Sequence, residues 1–225
     1  MLDRSPHEIN LKRILRDLYA DPVLAAQLVF KGGTCLYLFH ELDRFSVDLD
    51  FSLRGEDLDE GRITAIVDNY LQVKQSSNKY HTYFWLGSFE KGKQKIKIEV
   101  SKRDYPDTYE IKDFFGLSVC CLDQASLFAH KLCAVTDRAE LYSRDLYDCW
   151  FMFKHNFPIN AAIISERMGK AVSEYLADVK IYIEKNVNPA GIMEGLGELL
   201  DDQQKVWVRN HLLDELMFEL SLRLS

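Results

Sequence analysis

An α+β fold, in which a small mixed sheet is flanked by helices and followed by a C-terminal helical bundle, is predicted by three observations. Segments with the two-residue period of strands lie in the first half of the chain. Segments with the 3.6-residue period of helices fill the second half, so the two kinds of element are segregated along the chain and not alternated. One short stretch, Phe45 to Phe51, alternates apolar and polar residues without a break, which places Ser46, Asp48 and Asp50 on one face of a strand.

The opening helix is expected from His7 to Tyr19, where Leu11, Ile14, Leu15 and Leu18 recur at helical spacing until Asp21-Pro22 interrupts them. Val23 to Phe30 reads as a second helix, and Gly32-Gly33 breaks the pattern before it resumes from Cys35 to Leu42. Beyond the acidic strand, Asp57 to Leu71 reads as helical. Tyr80 to Phe89 and Gln94 to Ser101 read as strands joined by a hairpin turn at Gly92. From Leu122 onward the helices are Asp123 to Arg138, Ser143 to Lys154, Ala161 to Asn186 and Gln203 to Leu222, with Asp123 and Ser143 as N-caps. The change of character puts the boundary between two domains near Gly116.

Composition narrows the function classes. A chain of 225 residues that is 47% hydrophobic and 28% charged has the balance of a folded globular protein. The N-terminal residues lack the basic start and apolar core of a signal peptide, and no stretch is long and apolar enough to span a bilayer, so a cytoplasmic protein with no membrane partner is expected. The five cysteines form no C-x-x-C pair and the six histidines are scattered, which argues against a zinc site or disulfide framework and for buried free thiols. A formal net charge of -7 excludes a protein that coats nucleic acid through bulk charge. A local basic cluster remains in Lys91-Gly92-Lys93-Gln94-Lys95-Ile96-Lys97 with Lys102 and Arg103, either a phosphate-facing surface or a solvated strand face.

The acidic strand carries the chemistry. Like charges at Asp48 and Asp50 repel unless a cation lies between them, and a hard divalent ion, Mg²⁺ or Mn²⁺, takes such carboxylates together with phosphate oxygens. The alternative is a sheet edge protected by charge. Gly32-Gly33-Thr34 stands upstream at a helix start, where free amides and the helix dipole favour a triphosphate, although two glycines also mark a plain turn. In Lys95-Ile96-Lys97-Ile98-Glu99-Val100 the same alternation puts Glu99 on a polar face, as a third metal ligand, as a general base, or as a cross-strand salt-bridge partner. On a helix from Asp123, Lys131 and Arg138 lie seven positions apart and share a face, which lets both point at one anion.

These motifs resemble the AbiEii/AbiGii toxin family of nucleotidyltransferases, a branch of the polymerase-β-like superfamily related to the MenT toxins. Lys31-Gly32-Gly33-Thr34 with Arg44-Phe45-Ser46-Val47-Asp48-Leu49-Asp50-Phe51 is similar to its first motif, and Ile98-Glu99-Val100 to its later acidic strand. His130-Lys131-Leu132-Cys133-Ala134 with Arg138, followed by Arg144-Asp145-Leu146-Tyr147-Asp148, resembles its Lys-Leu-x-Ala...Arg...Arg-Asp-x-x-Asp signature. The interval from Gly33 to Asp48 is long for the wider superfamily, though it suits this branch.

The resemblance implies a polymerase-β-like nucleotidyltransferase fold, with residues 1–116 as the nucleotidyltransferase domain and 117–225 as a helical domain completing the active site. It implies transfer of a nucleotide from an NTP to an acceptor hydroxyl. Asp48, Asp50 and Glu99 would be metal ligands and catalytic residues, with Lys131 and Asp145 also catalytic. Gly32, Gly33, Thr34, Arg44, Ser46, Lys131, Arg138 and Arg144 would bind the nucleotide. Either acid of the Arg-Asp-x-x-Asp segment can touch substrate or orient Lys131 and Arg144, and Asp148 can equally be a structural ion-pair partner. The resemblance further implies a toxin of a toxin–antitoxin or phage-defence pair, a cognate antitoxin and a tRNA acceptor. The competing readings are transfer to a protein or small molecule, and a non-catalytic module that binds NTP or a partner.

Overall fold

The computed structural model describes residues 4–89, 95–138 and 140–224. The expected turn at Gly92 and the basic residues Lys91 and Lys93 lie outside them. The chain divides into two compact units, one formed by Met1–Asp104 with Tyr109–Leu122 and the other by Tyr105–Thr108 with Asp123–Ser225.

The first unit opens with helix α1 (Arg4–Ala20), whose buried stripe of His7, Leu11, Ile14, Leu15 and Leu18 follows the helical period. Asp21 caps the short α2 (Pro22–Gln27), accepting hydrogen bonds from the Val23 and Leu24 amides. The helix expected to run to Phe30 ends here, because Leu28–Lys31 is instead the strand β1. Its apolar residues are buried on both faces between two neighbouring strands, so no alternation betrayed it. Helix α3 (Gly32–Phe39) starts on the next residue, and the chain then reaches β2 (Leu49–Leu53). Residues 45–48, expected within that strand, precede it without ladder pairing. Helix α4 (Glu60–Asp68), capped by Asp59, is shorter than its charged segment suggested.

Four of the five remaining strands of the unit form two hairpin pairs. Strand β3 (Gln72–Lys79) pairs with β4 (Thr82–Ser88), and β6 (Tyr109–Phe114) with β7 (Leu117–Leu122), while β5 (Lys95–Ser101) lies beside β4. Strands β3, β6 and β7 were not foreseen. β3 is polar throughout and exposed at a sheet edge, and β6 alternates only weakly. The seven strands form one mixed sheet in the order β3-β4-β5-β2-β1-β7-β6. Pairing is parallel between β2 and β5 and between β1 and β7, and antiparallel elsewhere. From α1 the buried Tyr19 hydroxyl reaches the carbonyls of Leu28 at 3.0 Å and Cys120 at 2.8 Å, so one side chain ties the helix to β1 and β7. Gly116 turns the β6–β7 hairpin and so lies inside this unit.

The second unit is helical: α5 (Gln124–Asp137), α6 (Ser143–Lys154), α7 (Ala161–Met168), α8 (Val172–Asn186) and α9 (Asp202–Leu222). The single helix expected from Ala161 to Asn186 is broken because Gly169 takes a left-handed conformation (φ +68°) and caps α7. Helix α5 packs against α6, α7 and α8, and α9 against α6 and α8. Phe128 and Phe153 meet edge to face in this core, 4.7 Å between ring centroids. Asp123 caps α5 by accepting from the Ser126 amide at 2.8 Å. Partial burial works to raise its carboxyl pKa, but hydrogen bonds from the Thr108 hydroxyl and the Ser126 amide outweigh it and hold the group below its ordinary value. Tyr142, not Ser143, occupies the cap position of α6. Among the described residues no helix is long and apolar enough to cross a membrane.

All five cysteines are buried and free. Burial pushes the Cys133 thiol from 9.0 to about 11, and drives Cys35 and Cys149 well above their ordinary value. A thiol raised in the fold is lost as a proton carrier more easily in the unfolded chain. Its stabilising contribution is therefore complete below its ordinary value and declines as pH rises toward the folded ones. The native protein should react slowly with a thiol reagent such as DTNB at pH 8 and release the full thiol complement only on denaturation. Rapid native labelling would contradict the packing.

Candidate active site

Register puts the acidic residues of the first unit side by side. Parallel pairing of β2 with β5 sets Leu49 beside Ile98 and Asp50 beside Glu99. Ile96, Ile98 and Val100 are buried, so Lys97 and Glu99 must point to the opposite face, the one that also carries Asp48 and Asp50. The Lys97 ammonium stands among all three carboxylates, 3.7 Å from Asp48 Oδ2, 3.6 Å from Asp50 Oδ1 and 3.4 Å from Glu99 Oε2. The Glu99 contact is a hydrogen bond, and the ammonium is shared among the three carboxylates. All four side chains keep partial solvent exposure, which leaves them open to a ligand.

The Gly-Gly turn fits against this face because it carries no side chains. Gly32 has a left-handed backbone (φ +79°), and a Cβ there would stand 2.6 Å from Asp50 Oδ2. A Cβ at Gly33 would meet both the Arg44 guanidinium and the Ser46 hydroxyl at 3.0 Å. On the antiparallel side of β2, Lys31 is the ladder partner of Asp50. Asp50 is thus bracketed by Lys31, Gly32 and Glu99.

Three expected nucleotide ligands are placed differently. Thr34, Arg44 and Ser46 are all buried. The Thr34 hydroxyl lies 2.9 Å from that of Ser46 and bonds the Asp48 carbonyl, and Arg44 donates to the Phe45 carbonyl at 2.9 Å. Their polar groups lie among the start of α3 and residues 44–48. One contributor was missed. His7 on α1 is buried against Phe45 and Phe89, and its Nε2 donates to the Val47 carbonyl at 2.9 Å, which anchors the segment between Arg44 and Asp48. Its only sequence signal is a polar residue on the apolar stripe of α1.

The second unit gathers the other signature residues. Lys131 bonds Asp145 Oδ1 at 3.1 Å and Asp148 Oδ2 at 2.6 Å, and Arg138 reaches Asp145 Oδ2 at 2.9 Å. Both acids are without exposed surface, whereas Lys131 keeps a little. The i, i+3 spacing on α6 therefore makes a buried two-carboxylate clamp for one ammonium. Asp145, expected to be catalytic, pairs with both Lys131 and Arg138. Arg138 has left the helix as its C-cap, so it does not share the face of Lys131 by helical spacing, but the two converge on Asp145 all the same. Arg138 and Arg144 lie over the Tyr142 ring, at 5.4 Å and 5.3 Å.

Among the described residues no three His, Cys, Asp or Glu side chains stand close enough together to hold a metal ion in this conformation. The donor set nonetheless fits a hard divalent cation: three carboxylates from two adjacent strands already surround one positive charge.

A mixed sheet that presents an acidic strand pair beside a Gly-Gly helix start is the setting expected for a nucleotidyltransferase. The chain belongs to the AbiEii family, described as nucleotidyl transferase toxins of type IV toxin–antitoxin systems, which matches residues 13–217. Its fold is similar to that of an H. pylori protein described as a nucleotidyltransferase, with a TM-score of 0.64 and 22% identity over 100% of this chain and 96% of that one. It is also similar to JHP933 from Helicobacter pylori, with a TM-score of 0.60 and 22% identity over 100% and 94%. MenT4, a nucleotidyltransferase toxin from Mycobacterium tuberculosis H37Rv, aligns at a TM-score of 0.44 and 16% identity over 99% and 96%. Comparison with the curated proteins finds no match.

Two substitutions test the geometry. Gly32→Ala should leave the circular-dichroism spectrum unchanged yet cut nucleotidyl transfer by tenfold or more, by an order-of-magnitude reckoning from a sub-ångström displacement of a catalytic carboxylate. Lys131→Met removes the ammonium that the buried Asp145 and Asp148 share and should cost about 3–5 kcal/mol in urea denaturation. A loss under about 1 kcal/mol would rule out the clamp.

Proposed function

We propose that this enzyme transfers a nucleotidyl group from a metal-bound NTP to a hydroxyl of an RNA, tRNA foremost, as the toxin of a defence system neutralised by its own antitoxin. The observation that carries the reading is the convergence of Asp48, Asp50 and Glu99 on one cation position beside Gly32. Asp48, Asp50 and Glu99 would hold Mg²⁺ or Mn²⁺. Such an ion, when bound, neutralises phosphate charge and makes the α-phosphorus more electrophilic.

The residues divide the remaining work. The Gly32 backbone at the start of α3, a helix start with no side-chain cap, accommodates phosphate oxygens. The acceptor oxygen bonds to the α-phosphorus, the bond to pyrophosphate breaks, and the acceptor's proton passes to a carboxylate, for which Glu99 is the most exposed of the three. In the helical unit, Lys131, paired with Asp145 and Asp148, and the guanidinium groups of Arg138 and Arg144 form a cluster of cations suited to phosphate charge. RNA as the acceptor is supported by the basic residues Lys95, Lys102 and Arg103 in an otherwise acidic chain.

With α-labelled NTP and total tRNA, the wild-type enzyme should label RNA in a reaction abolished by EDTA and restored by Mg²⁺. Asp48→Ala and Asp50→Ala should lower the rate by at least about a thousandfold, an order of magnitude set by the loss of a metal site. Labelling that persists in either variant defeats the proposal. Label in protein and not RNA would move the acceptor to that class. RNA labelling should also fall steeply between low and physiological salt.

A further inference from the structure

Lys97 has no assigned part in the transfer, yet it occupies the centre of the acidic cluster. Its strand position explains how. Lys97 lies two residues before Glu99 on the same face of β5, the register sets Asp50 beside Glu99, and the ammonium also reaches Asp48, which immediately precedes β2. Three carboxylates brought this near would repel one another without a counter-charge. The Lys97 ammonium, within 3.4–3.7 Å of each, supplies it.

From this geometry we infer that Lys97 is an exchangeable internal counter-ion: it takes the place of the divalent metal while the site is empty and must move out when the metal enters. The inference rests on the reading of Asp48, Asp50 and Glu99 as metal ligands. A long flexible stem and partial exposure let the ammonium leave without unpacking the strand, since the buried neighbours Ile96 and Ile98 hold the backbone. Two consequences follow. The metal-free site is protected from its own repulsion, and bare metal binds more weakly than three carboxylates alone would bind it, because entry expels a competing cation.

Binding of Mn²⁺ alone, followed by electron paramagnetic resonance, separates these roles from catalysis. In the full-length chain, Lys97→Met and Lys97→Gln should bind Mn²⁺ about tenfold more tightly or better, the scale expected from removing one unit charge a few ångströms from a divalent ion. Both should also melt lower than wild type without metal and gain more from saturating Mn²⁺. Lys97→Arg, which keeps the charge, should stay near wild type in both respects. Unchanged or weaker Mn²⁺ binding in the Met and Gln variants overturns the exchange while leaving the metal site standing. If Mn²⁺ binds neither the wild type nor these variants, or binds Asp50→Asn as well as wild type, the metal reading falls and the exchange falls with it.

Discussion

The lateral register of three strands, β1, β2 and β5, is the constraint on which the rest of the first unit depends. A shift of one residue between β2 and β5 would turn Glu99 and Lys97 into the core and bring Ile98 to the polar face. The buried row of Ile96, Ile98 and Val100 beside Leu49 and Phe51 makes such a slip costly, so apolar packing on one face fixes the spacing of charges on the other. On the β1 side, Phe30 opposite Phe51 performs the same service and sets Lys31 against Asp50. The site is thus held by its hydrophobic underside. Its own electrostatics oppose the arrangement.

That division explains what the sequence discloses. Alternation made the acidic strand legible, because a strand with one wet face and one dry face writes both faces into its residues. Strand β1 escaped since it is dry on both sides, and its four residues Leu28–Lys31 continue the apolar character of the helix before them. Strand β3 escaped for the opposite reason: Gln72–Lys79 is wet on nearly every side chain, and its pairing with β4 is what makes it a strand. Within the site, residue type was legible and direction was not. Thr34, Arg44 and Ser46 look like ligands in one dimension, but their contacts with each other and with the backbone around Asp48 are made across distances that no local pattern records. His7 lies forty residues from the carbonyl it holds.

The helical unit uses a different economy of charge. Lys131 is fixed by two carboxylates that are themselves excluded from water, so its direction is determined by groups that cannot readily move. Lys97 is surrounded by more negative charge yet is held less firmly, because its partners are solvated and distant. Burial, and not the number of opposite charges, decides which lysine is rigid.

The segment Tyr105–Thr108 belongs with the helices although the sheet resumes at Tyr109. The Thr108 amide donates to Ser126, Asp107 pairs with His130, and Asn160 reaches the Pro106 carbonyl. The chain therefore passes into the helical unit, returns to complete β6 and β7, and passes over again. No single cut separates the two units cleanly. Such interlacing removes the modularity that a sheet followed by a bundle would offer: recombination at any one point would carry off part of the other unit.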